Sequence, residues 1–167
     1  AIPLLEDGAQ AFGVETERTR IAAFGVEVGN SVFAKATVGT LSFYPSKVLG
    51  GAGDGGAITC QSESMANELR SMRNHGRTAA YEHGSVGMNS RMGSMQASYL
   101  LRALAMSEIV LNDRRTTVAF YHDALNGKRG LTVHMPPDGV LGNGYLAVVT
   151  SDSLYGNELA SALKQRD

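Results

Sequence analysis

Apolar and polar positions change period several times along the chain, and each change predicts an element. Residues 2–5 form a short continuous apolar run closed by Glu6-Asp7-Gly8, the pattern of a buried strand that reaches its carboxyl end at the acid. Residues 9–14 could open a helix, but Gly13 cuts it short. Across residues 31–43, rich in Val, Thr and Phe, the positions Thr37, Gly39 and Leu41 alternate with Val38, Thr40 and Ser42, the two-residue period of one or two strands. Residues 47–56 carry five glycines and read as a loop, after which Ala57-Ile58-Thr59-Cys60 resumes a strand.

Residues 62–73 read as a helix. Ser62 can cap its start, Met65, Leu69 and Met72 share one face, and Gly76 stops it. Residues 77–86 show no period and are expected to be loop. From 94 to 125 no proline or glycine intervenes, and Met95, Tyr99, Ala103, Met106 and Val110 recur at helical spacing. The polar patch 112–115 interrupts that stripe before Val118, Tyr121 and Leu125 continue it, so a long helix bent near Asp113 is expected. Residues 131–135 and 145–150 look like strands around the turn Pro136-Pro137-Asp138-Gly139, and 157–165 like a closing helix. This order predicts an α/β unit over residues 1–112, including the start of the long helix, and a smaller α+β piece over 113–167.

Composition narrows the possibilities. Fifteen Lys and Arg against sixteen Asp and Glu leave a net charge of −1 over 167 residues, which excludes nucleic-acid or anionic-membrane binding by bulk electrostatics. One cysteine, Cys60, excludes a disulfide framework and a thiolate-rich metal site, and suits a reducing, cytoplasmic setting. No apolar run is long enough for a membrane helix, and no secretory signal is visible. His75, His83, His122 and His134 lack H-x-x-x-H spacing, so no metal is expected. The chain opens at Ala1-Ile2-Pro3 without a methionine, and we expect it to be an internal portion of a longer protein.

Three segments could carry chemistry. Asp7 ends an apolar strand, and in open parallel sheets ligands collect beyond the carboxyl ends of strands; an Asp-Gly pair is also a common turn. Lys47 lies between Pro45 and a glycine-rich stretch, where a confined site can make an amine nucleophilic, although a lone lysine is usually solvated surface. The glycines match neither a Walker A motif nor G-x-G-x-x-G. Asn89-Ser90-Arg91-Met92 precedes the long helix and can equally be its polar first turn.

Taken together and in order, these segments resemble one family. Glu6-Asp7-Gly8-Ala9-Gln10-Ala11-Phe12-Gly13, Ser42-Phe43-Tyr44-Pro45-Ser46-Lys47, Gly53-Asp54-Gly55-Gly56-Ala57-Ile58, Arg73-Asn74-His75-Gly76-Arg77 and Asn89-Ser90-Arg91-Met92 are similar to motifs of the DegT/DnrJ/EryC1/StrS sugar aminotransferases. The resemblance runs from about residue 2 to 125 and weakens beyond. It implies a portion of the fold type I large domain of pyridoxal-phosphate (PLP) enzymes, followed by the start of a smaller α+β domain. It also implies pyridoxal 5'-phosphate as cofactor, a nucleotide-linked keto sugar and an amino donor such as glutamate as substrates, and a homodimer with shared active sites.

The resemblance further implies roles by position. Lys47 matches the lysine that bonds covalently to the cofactor, and Asp7 the aspartate facing its pyridine nitrogen. Gln10 matches a residue packed near the cofactor ring, and Ser42 the serine that binds its phosphate. Asn89 matches an asparagine that reaches the phosphate held by the other subunit. Brought together, Asp7 and Lys47 should stand at one edge of the sheet. Departures from the family pattern are Gly8, Val48, the long stretch 19–39, and Gly93, which weakens the cap of the helix that follows. A dehydratase branch carries histidine in place of the lysine, so Lys47 argues against it. A module of the same fold that has lost catalysis is the other alternative.

Overall fold

The computed structural model describes residues 4–16, 36–60 and 62–165. Strand β1 (Leu4–Asp7) is followed by a tight turn and by the short strand β2 (Glu15–Thr16). Strand β3 (Ala36–Ser42) pairs in parallel with β1, and β4 (Gly56–Cys60) pairs antiparallel with β3, giving a three-stranded sheet in the order β1-β3-β4. The expected strands over 2–5 and 31–43 therefore exist where they are described; residues 2–3 and 31–35, and most of 19–39, lie outside the described residues. Burial differs from the expectation. Leu4 and Leu5, on opposite faces of β1, are 40% and 64% exposed, because among the described residues no helix packs on either face of this strand.

Helix α1 (Glu63–Met72) starts where Ser62 accepts a hydrogen bond from the Met65 amide at 3.4 Å, and it turns out at Gly76, whose φ is +68°. The expected loop over 77–86 is instead a small hairpin, β5 (Arg77–Ala79) and β6 (Glu82–His83), closed by the Gly84 amide on the Gly76 carbonyl. Both strands are wholly exposed, so no apolar alternation marked them.

The long helical stretch is two helices, α2 (Ser94–Ala105) and α3 (Ser107–Leu125), and the break is at Met106 rather than near Asp113. Gly93 stands at the N-cap of α2 and offers no side-chain cap. The polar patch is not a bend: Arg115 is spent on tertiary hydrogen bonds, its Nε donating to the Gly142 carbonyl at 2.7 Å and its guanidinium Nη2 to the Gly13 carbonyl at 2.8 Å. Strands β7 (Leu131–His134) and β9 (Val148–Ser151) pair antiparallel; the second begins later than expected because residues 142–147 form a loop. Between them β8 (Val140–Leu141), unforeseen in the sequence, pairs with β2. Helix α4 (Gly156–Lys164) closes the described chain, its Glu158 carboxylate accepting from the Tyr155 amide at 2.8 Å. Among the described residues no helix is long and apolar enough to cross a membrane.

The core gathers on α3. Leu111 and Val118 are 2% and 8% exposed, Val133 of β7 is buried, and Leu100, Val48 and Leu49 are buried as well. The turn after β1 seats on this core, because Gly13 (φ +79°) presses against the Leu111 side chain where any Cβ would collide with it. Asn143, also buried, fastens the same turn: its Nδ2 donates to the carbonyls of Gln10 at 2.8 Å and Phe12 at 2.9 Å, and its Oδ1 accepts from the Tyr145 amide at 3.0 Å. By contrast Met95, Tyr99 and Met106, on one face of the α2 region, are left exposed.

These contacts set two expectations for urea unfolding. Asn143→Ala leaves two carbonyls and one amide without partners and should cost about 3 kcal/mol, read as a lower midpoint. Gly13→Ala combines a left-handed backbone with the Leu111 clash and should cost about 2 kcal/mol. An unchanged midpoint in either variant would show that the turn does not depend on that residue.

Candidate active site

The parallel pairing of β1 and β3 decides which side chains share an edge. Asp7 lies opposite Thr40, so β1 ends at Asp7 and β3 ends two residues further on, at Ser42, on the same side of the sheet. The ladder continues for one more bond, the Gly8 amide donating to the Thr40 carbonyl at 2.9 Å. One oxygen of Asp7, Oδ1, accepts from the Ala9 amide at 3.0 Å, which fixes the side chain at the turn and leaves the other oxygen free of that bond. Ser42 Oγ accepts from the Tyr44 amide at 3.3 Å, which leaves its hydroxyl proton to donate elsewhere.

Lys47 follows in a tight turn, its amide donating to the Tyr44 carbonyl at 2.9 Å. The glycine-rich loop is folded back on this turn. The Gly51 amide donates to the Phe43 carbonyl and the Phe43 amide to the Gly55 carbonyl, both at 2.8 Å. Gly50 passes so close to the Pro45 carbonyl that a side chain there has no room. From α2, the Gln96 amide donates to the carbonyls of Gly53 at 2.9 Å and Asp54 at 2.7 Å. Val48 and Leu49, buried, anchor the turn from the inside. Lys47 itself is half-buried, with its Nζ 5.1 Å from the centroid of the Tyr145 ring.

Asp7 and Ser42 thus end two adjacent parallel strands at one edge of the sheet, and Lys47 lies in the turn just after the second. Gln10 is exposed; its backbone carbonyl is held by Asn143, and the next residues of that loop carry Tyr145 to Lys47. Asn89 is elsewhere. It bridges to Asn74 beside the end of α1, and its Oδ1 accepts from Arg91 Nε at 3.2 Å, with its amide donors uninvolved in that bond. A cavity of about 860 Å³ lies between the sheet, α1 and the start of α2, lined among others by Leu41, Ile58, Leu69, Arg73 and Met92. None of the five expected site residues lines it.

Tyr145 escaped the sequence reading. Its phenol is held below the ordinary value of 10.0, first by a hydrogen bond with the Ser46 side chain, then by the hydrogen bond and charge of Lys47 and the charge of Arg114, while burial works the other way. The only trace of this in the sequence is Gly142-Asn143-Gly144, an asparagine between two glycines just before the strand expected over 145–150.

The chain matches the model of the DegT/DnrJ/EryC1/StrS aminotransferase family over residues 1–166. It is 37% identical over 125 residues to a UDP-N-acetyl-3-dehydro-alpha-D-glucosamine 3-aminotransferase of Acidithiobacillus ferrooxidans, covering 74% of this chain and 31% of that protein. It is likewise 37% identical over 120 residues to a UDP-2-acetamido-2-deoxy-3-oxo-D-glucuronate aminotransferase of Pseudomonas aeruginosa, covering 72% of this chain and 30% of that one. The crystal structure of DesV from S. venezuelae superposes with a TM-score of 0.82 at 32% identity, over 99% of this chain and 41% of DesV. The chain therefore spans about a third of the length of these curated relatives. With a family match along nearly its whole length and the α/β arrangement of DesV, the chain belongs to the DegT/DnrJ/EryC1/StrS aminotransferase family.

Proposed function

We propose that this chain supplies the lysine-bearing part of a PLP-dependent aminotransferase that moves an amino group, with glutamate as donor, onto a keto group of a nucleotide-linked sugar. The observation that supports this reading is that Asp7 and Ser42 end the adjacent parallel strands β1 and β3 at one edge of the sheet, with Lys47 in the turn that follows Ser42. The relatives' names speak for the substrate class, since those proteins are named for UDP-linked sugars.

The donor set fits pyridoxal phosphate. A pyridine nitrogen is held protonated by a carboxylate, a phosphate by hydroxyl and amide donors, and an aldehyde by an amine, and each of these groups is present. When bound, the cofactor supplies an electron-withdrawing ring that stabilises a carbanion at the substrate carbon. Asp7, through the oxygen not engaged by the Ala9 amide, keeps a proton on the ring nitrogen. Ser42 would donate its hydroxyl proton to the phosphate, and Gln10 would pack near the ring. Lys47, once its amine is uncharged, takes a proton at Nζ from the substrate and returns it to a neighbouring carbon. A dehydratase reading is disfavoured by the lysine itself.

In the same reading residues 1–112 belong to the large domain and 113–167 to the small one, the enzyme works in the cytoplasm, and two chains share each site. Asn89, with its amide donors uninvolved in the Arg91 contact, suits a phosphate held by the partner. The exposed face carrying Met95 and Tyr99, a few residues beyond it, suits the contact that would bring it there.

Two experiments on the full-length protein test this. Wild type should take up pyridoxal phosphate with a visible absorption band that borohydride abolishes, whereas Lys47→Ala should show no band and lose turnover by about 10³-fold, within the range of a positioned proton-transfer group. A colourless wild type would leave the family fold without its chemistry. Mixing Lys47→Ala chains with Asn89→Ala chains gives heterodimers with one doubly damaged and one intact site, so about a quarter of wild-type activity should return at random pairing. Heterodimers without recovered activity would remove Asn89 from the partner's site.

A further inference from the structure

The side chain nearest in function to Lys47 comes from the far end of the described chain. Lysine has a long flexible stem, and nothing in its own turn fixes where the ammonium group stands. Among the described residues no carboxylate pairs with it; its Nζ instead lies over the Tyr145 ring at 5.1 Å, inside the range in which an aromatic face attracts a cation. We propose that Tyr145 is a positioning residue for Lys47, its ring face holding the ε-amine at the edge of the sheet where Asp7 and Ser42 end. The proposal rests on the reading of Lys47 as the reactive amine and adds to it a residue from the other end of the chain.

Three features distinguish this from a chance surface contact. First, the ring sits on a fixed backbone. The Tyr145 amide donates to the Asn143 Oδ1 at 3.0 Å, and buried Asn143 is itself tied to the Gln10 and Phe12 carbonyls. Second, Gly144, with φ at +63°, lets the loop press on the Arg114 backbone, where a Cβ would come within 2.6 Å of the carbonyl carbon. A tyrosine has two side-chain torsions to fix against four for lysine, so it is the better anchor of the pair. Third, the hydroxyl is engaged as well as the ring. The charged groups that face it are Lys47, from the turn after β3, and Arg114, from α3, and both favour the phenolate, as does the bond to Ser46. Ring and hydroxyl are thus both committed to the neighbourhood of one amine.

Full-length protein carrying Tyr145→Phe, which keeps the ring, and Tyr145→Leu, which keeps apolar bulk without it, separates positioning from packing. The first readout is the rate at which pyridoxal phosphate followed by borohydride labels the Lys47 peptide, followed by mass spectrometry. Tyr145→Phe, which loses only the hydroxyl's bond to Lys47, should label within about threefold of wild type, and Tyr145→Leu about tenfold more slowly, the loss expected when a partly desolvated cation–π contact is removed. Equal labelling of wild type and Tyr145→Leu overturns this proposal alone. No label on wild-type Lys47 overturns the reading of the site and this proposal with it.

The second readout needs no cofactor. The phenolate absorbance of wild type minus that of Tyr145→Phe isolates one tyrosine, which should ionise below 10.0. Because a nearby cation stabilises the phenolate, Lys47→Gln should move that midpoint upward, and Lys47→Arg should bring it back. A midpoint indifferent to Lys47→Gln overturns the contact. Should Tyr145→Leu lose its circular-dichroism signal of folding, this titration in the folded Lys47 variants decides the matter.

Discussion

One buried side-chain amide couples the two ends of this structure. Asn143 donates twice to the turn after β1 and accepts once from its own loop, so the same residue fixes the carbonyls of Gln10 and Phe12 and the amide of Tyr145. Arg115 repeats the link from α3, spanning the Gly13 and Gly142 carbonyls. Backbone groups in turns have no ladder to satisfy them, and a buried one left alone costs more than its bond would have contributed. The turn beyond Asp7 and the loop bearing Tyr145 therefore stand or fall together. Asp7 is placed by strand register and Tyr145 by this clamp.

Register and clamp differ in what they can tolerate. A slip of one residue between β1 and β3 would turn Asp7 to the opposite face, and the hydrogen-bonded pairing of Leu5 with Val38 through Asp7 with Thr40 is what prevents it. The turn at Lys47 has no such ladder. It depends instead on the close passage of Gly50 beside Pro45, on the buried Val48 and Leu49, and on Gln96 reaching from α2 to the glycine loop. A glycine-rich segment without fixed dihedrals would otherwise carry the largest entropy loss in the site.

This division explains what could be read from the sequence. Strands β1, β3 and β4, helix α1 with its Ser62 cap, and the α/β order follow from local period and capping chemistry, and so were legible. Asp7, Ser42 and Lys47 could be placed at the sheet edge because motif residues at strand ends keep their chain positions in the fold, while their roles come from the resemblance. The hairpin of β5 and β6 was invisible because both strands are exposed and carry no alternation. The break at Met106 was invisible because no glycine, proline or polar cluster marks it, while the polar patch that seemed to mark a bend was polar to reach Gly13 and Gly142. Tyr145 and Asn143 were missed for a related reason. Their roles exist only between segments distant in sequence, and a period-based reading assigns such residues to the nearest element.

The distribution of exposed apolar residues follows from the same architecture. The buried residues cluster where α3, β7 and the Gly13 turn meet, which is where the clamp acts. Away from it, Leu5 on β1, Ile58 on β4 and Met95, Tyr99 and Leu101 on α2 stand more than half exposed. Scattered apolar side chains on a surface need no cause, but these are grouped by element, on the sheet and on one helix. The clamp of Asn143 and Arg115 thus fixes the turn after Asp7 and the Tyr145 loop, while Asp7 and Ser42 themselves are held by the pairing of β1 with β3.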